Sequence, residues 1–102
     1  LFVEDLIRAI FLCFKNKRSI GHIINIGSGK PQKIKKVILY IKNKINLGKP
    51  LFGKISLRKD EILKLYPSII KAKKILNWSP KTKFQNGINK VIKNYKQDFY
   101  NQ

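Results

Sequence analysis

The stretch RKDEILKLYPSIIKAKKILNWSPKTKFQNGI (residues 58–88) contains the densest set of helix start and stop signals in the chain. Ser68 is expected to cap a short helix directly after a proline. Asn77 is expected to end that helix, because asparagine tolerates the left-handed backbone conformation that such an end requires. Thr82 and Gln85 then have the spacing of a capping box for a second helix. These signals predict two helices joined by a corner of fixed geometry.

Two more helices are predicted upstream from hydrophobic periodicity. The first opens at Glu4 and Asp5, because acidic residues favour the first turn of a helix, and the second covers residues 33–46. The last helix of the chain begins near Phe84. The apolar face that the second helix is expected to bury is formed by Ile34, Val37, Ile38, Ile41 and Ile45, and that of the first by Leu6, Ile7, Ile10, Cys13 and Phe14. Phe11 and Leu12 widen the face of the first helix, which is therefore expected to pack on two sides.

Residues 22–26 form a short apolar run that ends at a Gly-Ser-Gly turn, residues 27–29, which is typical of a buried strand. Residues 51–57 are a second candidate strand. Strand, turn and helix in this order predict an α/β fold with about four helices and two or three short strands. So few strands do not form a stable sheet alone. We therefore expect residues 1–102 to be a fragment with its sheet partners upstream, and residues 97–102 to fray.

The charge of the chain is strongly positive, with a formal net charge of +18 at pH 7. Such a balance favours nucleic acid or anionic membranes as partners. Here, however, 20 of the 23 basic residues are lysine and they are spread evenly along the chain, as expected from drift towards A/T-rich codons. Sequence-reading surfaces favour arginine and aromatic residues instead. A small basic nucleic-acid-binding protein and a truncated product that folds poorly are kept as alternatives.

The sequence offers little for metal, thiol or transmembrane chemistry. Cys13 is the single cysteine, which excludes an internal disulfide, and it lies in an apolar helical pattern where a buried thiol is usual. His22 is the single histidine and has no metal-binding partners nearby in sequence. No apolar run approaches the ~20 residues that span a bilayer. We expect no metal site, no membrane partner and a cytoplasmic location.

Two places are candidates for binding phosphate. Backbone N–H groups of the turn at residues 27–29 could hold an anion, although a tight turn is the simpler interpretation because the full dinucleotide-binding pattern is missing. Arg58 is one of three arginines in a chain that otherwise uses lysine, which favours a site that needs bidentate contact with phosphate oxygens. An ordinary ion pair of Arg58 with Asp60 or Glu61 explains it equally well.

Four segments resemble the C-terminal third of the NAD-dependent epimerase/dehydratase family, the extended short-chain dehydrogenases that modify nucleotide sugars. Residues 2–10 resemble the family's F-V-x-D helix start, and residues 25–29 its N-I-G-S-G turn. Residues 58–67 resemble its R-x-x-[DE] element and the segment that follows. Residues 71–88 resemble its K-A-x-x-x-L-G-W-x-P…G-L ending, with asparagine in place of the glycine before Trp78.

The resemblance implies a substrate-binding role for five residues. Arg58 would contact the diphosphate of a nucleotide sugar, as the arginine of the family's motif does. Glu61, together with Asp60, would support the nucleotide ribose or the loop. Leu65 and Tyr66 fall near the family's sugar pocket. The turn at residues 25–29 and the corner at residues 78–80 would be structural.

The resemblance also implies what this chain does not supply. The family's NAD(P) site and its Ser/Thr-Tyr-x-x-x-Lys catalytic set lie in an N-terminal Rossmann domain, for which this sequence has no counterpart. The chain would therefore be the substrate-binding part of an enzyme like UDP-glucose 4-epimerase, inactive alone and homodimeric when whole. Its partners would be its own Rossmann domain and a UDP-, CDP- or dTDP-linked sugar, with no specific nucleic acid and no membrane.

Overall fold

The computed structural model of the chain describes residues 1–53 and 66–100, with side chains as far as residue 98. Its elements, in chain order, are α1 (Val3–Lys15), a short 3-10 helix (Lys17–Ser19), α2 (Ile34–Ile45), α3 (Ile70–Leu76) and α4 (Phe84–Tyr100). The four helices predicted from the sequence are confirmed in number and order for the described residues.

The predicted α/β fold is wrong, because the part of the chain that the structure describes contains helices and no strand. Residues 22–26 have irregular backbone, and so do residues 51–53. The rest of the second candidate strand, residues 54–57, lies outside the described residues. A strand is stabilised by ladder hydrogen bonds to a neighbouring strand. Residues 22–26 have no such neighbour within the described ranges, so their apolar, β-branched composition does not make them a strand.

The chain divides into two compact units. The first unit consists of Leu1–Lys30 together with the chain from Tyr66 onward, and the second consists of Pro31–Leu65. The first contains α1, α3 and α4, and the second contains α2.

A small core forms in the first unit where α1 packs against α3 and the residues after it. Its buried side chains are Ala9, Ile69, Ala72, Leu76 and Trp78, and partly buried Leu12, Cys13, Ile24, Ile26 and Ile75 pack against them. Trp78 is the largest fully buried side chain of the described residues. Burying an aromatic side chain of this size contributes about 3 kcal/mol or more, so Trp78 is the central packing residue of this unit.

The predicted buried face of α1 is largely wrong. Phe14 is 84% exposed, and Leu6, Ile7 and Ile10 are also exposed, whereas Cys13 is half-buried. The covered side of the helix runs through Asp5, Ala9, Leu12 and Asn16, at helical spacings of four, three and four residues, and of these only Leu12 belongs to the predicted apolar residues. Periodicity identifies an apolar stripe but not the face that a neighbour will cover. The small side chain of Ala9 allows a close helix contact on this line.

The C-terminal end of α3 confirms the role predicted for Asn77. Its backbone is left-handed, with φ 51° and ψ 39°. The N–H of Trp78 donates to the carbonyl of Ala72 at 3.3 Å, which closes the wide turn that ends many helices. The predicted cap by Ser68 is wrong, because Ile69 precedes the first helical residue and no side chain caps that end.

In the second unit, α2 confirms the helix predicted for residues 33–46 to within one residue at each end. It ends at Asn46, which is also left-handed, with φ 60°. None of its residues is buried, and Ile34 is 69% exposed, so the expectation of a buried inner face is wrong for this helix. Within this unit the ammonium of Lys35 lies 5.2 Å from the centroid of the Phe52 ring.

Candidate functional site

Most of the predicted substrate-binding residues lie in a part of the chain that the structure does not describe. Arg58, Asp60, Glu61 and Leu65 fall outside the described residues. Tyr66 is described: it lies in irregular backbone ahead of α3, and its side chain is 48% exposed. The predicted contacts of these five residues with a nucleotide sugar therefore stay predictions.

The segment that follows the predicted site is held by the turn at residues 25–29. A Cβ atom on Gly27 would lie 2.4 Å from Cγ of Pro67, so only glycine fits at this position without movement of the proline. Gly29 has φ +74°, and a Cβ there would lie 2.9 Å from Cδ1 of Ile69. Both glycines thus allow close approach of the chain at Pro67 and Ile69, which is a packing role for this turn.

A buried polar cluster surrounds Asp5, which is only 3% exposed. Its Oδ1 accepts a hydrogen bond from Nη2 of Arg8 at 3.2 Å, and its Oδ2 accepts one from the backbone N–H of Thr82 at 3.0 Å. Its backbone carbonyl accepts from Nε1 of Trp78 at 3.0 Å. One residue of α1 thereby binds the chain on both sides of the corner at residues 78–80.

Arg8 reinforces this contact from the same helix. Its Nη2 also donates to the carbonyl of Ser79 at 2.6 Å, and its guanidinium carbon lies 5.6 Å from the centroid of the Trp78 ring. A guanidinium over an indole face adds a cation–π attraction of about 0.5–2 kcal/mol. We call Asp5, Arg8, Trp78, Ser79 and Thr82 the Asp5 cluster.

The environment of Asp5 lowers the pKa of its carboxyl group. Burial acts in the opposite direction and raises the pKa, but hydrogen bonds from the backbone N–H groups of Thr82 and Lys81, and the hydrogen bond and charge of Arg8, lower it by more. Asp5 is therefore ionised at neutral pH, with both oxygens occupied by donors. A carboxylate in this state anchors structure and has no proton to give, so the Asp5 cluster is a structural site.

The remaining candidate side chains do not assemble a reactive centre. His22 is exposed, and Cys13 is half-buried beside the core. Among the described residues there is no group of three or more histidine, cysteine or acidic side chains that could hold a metal ion. No helix in the same part of the chain is long and apolar enough to cross a membrane.

Sequence reasoning missed the Asp5 cluster, although two signals pointed to it. Arg8 is one of three arginines in a lysine-rich chain, and it lies three residues after Asp5, a spacing that brings two side chains together on a helix. The sequence identifies Asp5 as a helix-opening acid and as the aspartate of the F-V-x-D segment, but not as a buried hydrogen-bond acceptor. Its long-range partners, Trp78 and Thr82, could not be found from spacing because they lie 73 and 77 residues away.

The structure thus brings together residues from all four segments that carry the family resemblance. Asp5 and Trp78 join the first segment to the last, and Gly27 and Pro67 join the second to the end of the third.

No protein-family model, curated protein or solved structure matches the chain.

Proposed function

We propose that this chain is the substrate-binding part of an NAD(P)-dependent enzyme that epimerises or dehydrates nucleotide sugars, and that Arg58 binds the diphosphate of the substrate. The observation that carries the proposal is that residues of the first, second and last family-like segments, with Tyr66 and Pro67 at the end of the third, lie in one compact unit and contact one another in pairs. The Asp5–Trp78 bond and the Gly27–Pro67 contact are both made by residues of those segments.

The role of the chain in such an enzyme is binding and positioning. The guanidinium of Arg58 has a planar pair of donors that matches two oxygens of a diphosphate, which a lysine ammonium cannot do. Asp60 and Glu61 would orient the ribose or the loop, and Leu65 and Tyr66 would contact the sugar. The nicotinamide cofactor, bound by the N-terminal domain of a homodimeric parent, supplies the hydride chemistry.

The structure supports a fixed geometry for the end of the binding segment. Pro67 lies against Gly27 so closely that no Cβ fits between them, and Ile69 is buried at the start of α3. Tyr66 precedes these two anchored residues, yet its side chain is 48% exposed and available for contact. Tyr66 is therefore an exposed side chain that directly precedes a packed segment of the first unit.

The proposal predicts that nucleotide-sugar binding depends on Arg58 in particular. The purified chain, titrated with UDP-, CDP- and dTDP-linked sugars and followed by ¹⁵N NMR, should bind one class weakly and show no turnover. Arg58→Ala should weaken binding by about tenfold to a hundredfold, as loss of a charge-assisted hydrogen-bonded pair does. In the intact parent the same substitution should raise KM for the sugar nucleotide and leave the NAD(P) content unchanged.

Arg18→Ala is the matched control, because it removes an exposed arginine from the 3-10 helix and the same unit of charge. It should leave nucleotide-sugar binding unchanged. Equal losses for Arg18→Ala and Arg58→Ala would contradict the proposal and would show that the net charge of +18 attracts anions without a site, as in the alternative of a basic nucleic-acid-binding protein.

A further inference from the structure

The most exposed large apolar side chains of the described residues lie close together in sequence. Ile23 is 85% exposed, Phe14 84% and Ile20 76%. All three fall in residues 14–23, which connect the end of α1, through the 3-10 helix, to the irregular segment that follows. We call residues 14–23 the basic corner, because they include Lys15, Lys17 and Arg18. Exposed apolar side chains that form a surface patch mark interaction sites more often than scattered ones do, and three within ten consecutive residues are a candidate for such a patch.

The backbone of the basic corner is held by hydrogen bonds at both ends. The side chain of Asn16 accepts from the N–H of Arg18 at 3.0 Å and donates to the carbonyl of Ile75 in α3 at 2.7 Å. The hydroxyl of Ser19 lies 2.8 Å from the carbonyl of Cys13. The ammonium of Lys71 donates to the carbonyl of Ile23 at 3.2 Å. The apolar side chains therefore project from a fixed turn.

The basic corner also carries several positive charges. Lys15, Lys17 and Arg18 are all exposed, and Lys71 joins them through its bond to the carbonyl of Ile23. The acids of the described residues lie elsewhere: Glu4 and Asp5 in the first turn of α1, and Asp98 in α4. No acid lies within residues 14–23.

We propose that the basic corner is a peripheral binding site for a bilayer that contains anionic lipids. Phe14, Ile20 and Ile23 would enter the boundary between headgroups and acyl chains, while the neighbouring cations contact lipid phosphates and carboxylates. The phosphates of a nucleic acid would pair with the cations, but the two isoleucine side chains would stay in water. Bases stack on aromatic rings and not on aliphatic side chains. The combination of charge and aliphatic exposure is what selects a lipid surface.

The sequence-based expectation of no membrane partner rested on the length of the apolar runs. That criterion tests only whether a helix spans a bilayer, and it does not apply to binding at the surface. The proposal is also independent of the proposed function, because Arg58 and Tyr66 lie outside the basic corner. Loss of lipid binding and loss of nucleotide-sugar binding would therefore be separate results.

The first test measures the cationic part of the site. The chain is mixed with sedimentable vesicles of 70% phosphatidylcholine and 30% phosphatidylserine, or of phosphatidylcholine alone, at 150 mM salt. Binding should require phosphatidylserine. The triple variant Lys15→Gln, Lys17→Gln, Arg18→Gln should bind about a hundredfold more weakly, since each cation near an anionic surface contributes about fivefold.

The control variant Lys83→Gln, Lys93→Gln, Lys96→Gln removes the same charge from α4 and the residue before it. Charges that stay beyond a Debye length of about 8 Å from the lipid contribute little at this salt concentration. The control should therefore lose less than about fivefold in affinity. Equal losses in the two triple variants would overturn the proposal, because binding would then depend on net charge and not on this corner.

The second test measures the apolar part of the site. Phe14→Ser and Ile20→Ser should each weaken vesicle binding by about tenfold, whereas Val91→Ser, at an exposed position of α4, should not. Far-UV circular dichroism and the fluorescence of buried Trp78 confirm that each variant is folded. Vesicle binding that needs the three cations but is unchanged by both serine substitutions, with duplex DNA bound equally well, would overturn lipid insertion and show a simple polyanion surface.

Discussion

At the scale of single residues, Asp5 shows how one carboxylate can hold distant parts of a chain. Its carboxylate accepts hydrogen bonds from Arg8 on its own helix and from the backbone N–H of Thr82, which follows the turn at residues 78–80. Its backbone carbonyl accepts a hydrogen bond from the indole N–H of Trp78. A buried charge is tolerated only when its hydrogen-bonding capacity is filled, and here both oxygens have donors. The backbone conformation of residues 78–80 and the ionisation of Asp5 therefore depend on each other.

This dependence predicts how stability changes with pH. The folded pKa of Asp5 lies below its ordinary value of 3.8, so the unfolded chain binds more protons in the acid range. The contribution of Asp5 is fully present above the unfolded pKa and is lost as pH falls through the folded pKa. We expect the free energy of unfolding, from urea melts, to fall below about pH 5, and Asp5→Asn to reduce that slope.

The control for this prediction is Glu4→Gln, which removes an exposed carboxylate one residue away. It should leave the acid slope close to that of the unmodified chain. Asp5→Asn should in addition cost about 1–3 kcal/mol at pH 7, because one amide cannot accept from both donors. Identical slopes for Asp5→Asn and the unmodified chain would show that the hydrogen bonds at Asp5 do not control acid stability.

At the scale of elements, the ends of the helices follow from nearby residues, whereas the buried faces do not. Asn77 and Asn46 both adopt left-handed backbone at a helix end, as asparagine does with little strain. The 3-10 helix is likewise explained by a local bond from the N–H of Arg18 to the side chain of Asn16. The side of α1 that packs on α3 depends on residues far away in sequence.

The helix end at Asn77 gives a prediction at this scale. Asn77→Gly should leave stability unchanged or raise it slightly, because glycine adopts the left-handed conformation without strain. Asn77→Val should cost about 1–2 kcal/mol or more, since a β-branched residue resists φ 51° and Trp78 follows directly in the core. Urea melts measure both. Asn86→Ala, within α4, is the control and should not destabilise; equal stability of the glycine and valine variants would refute the strain argument.

At the scale of the whole molecule, the described chain forms one unit with a small core and a second unit whose helix buries no residue. The first unit is closed by contacts between distant segments, as between Gly27 and Pro67. Much apolar surface stays exposed on α1, with Phe14 as the extreme case. A unit with so small a core has a low free energy of unfolding, so loss of a single long-range contact should lower it measurably.

The Gly27–Pro67 contact can be tested by a double-mutant cycle. Gly27→Ala should destabilise the chain by about 1–3 kcal/mol, because the new methyl group meets the proline ring. Pro67→Ala removes most of that ring, so the double variant should be more stable than the two single losses predict together. The measurement is again the urea midpoint. Strictly additive losses would show that the two residues do not contact each other in solution.

The candidate substrate site could be predicted only as a set of residues and not as a geometry. Arg58 stood out by its chemistry and its resemblance to a family motif, but Arg58, Asp60, Glu61 and Leu65 lie outside the described residues. The structure shows in addition that Pro67 and Ile69, which follow these residues, pack closely against the turn that contains Gly27 and Gly29. Single-sequence reasoning reached the glycines as a turn, yet it could not identify the side chains that they face.

The positions of the helices and the end of α3 could be predicted from the amino-acid sequence, because they depend on hydrogen bonds and side chains within a few residues. Three other features are visible only in the folded chain: residues 22–26 are not a strand, Asp5 is buried, and the predicted apolar face of α1 is largely exposed. Each of these depends on partners supplied from elsewhere in the chain. A strand needs a neighbouring strand, a buried charge needs donors, and a helix buries the face that another element covers.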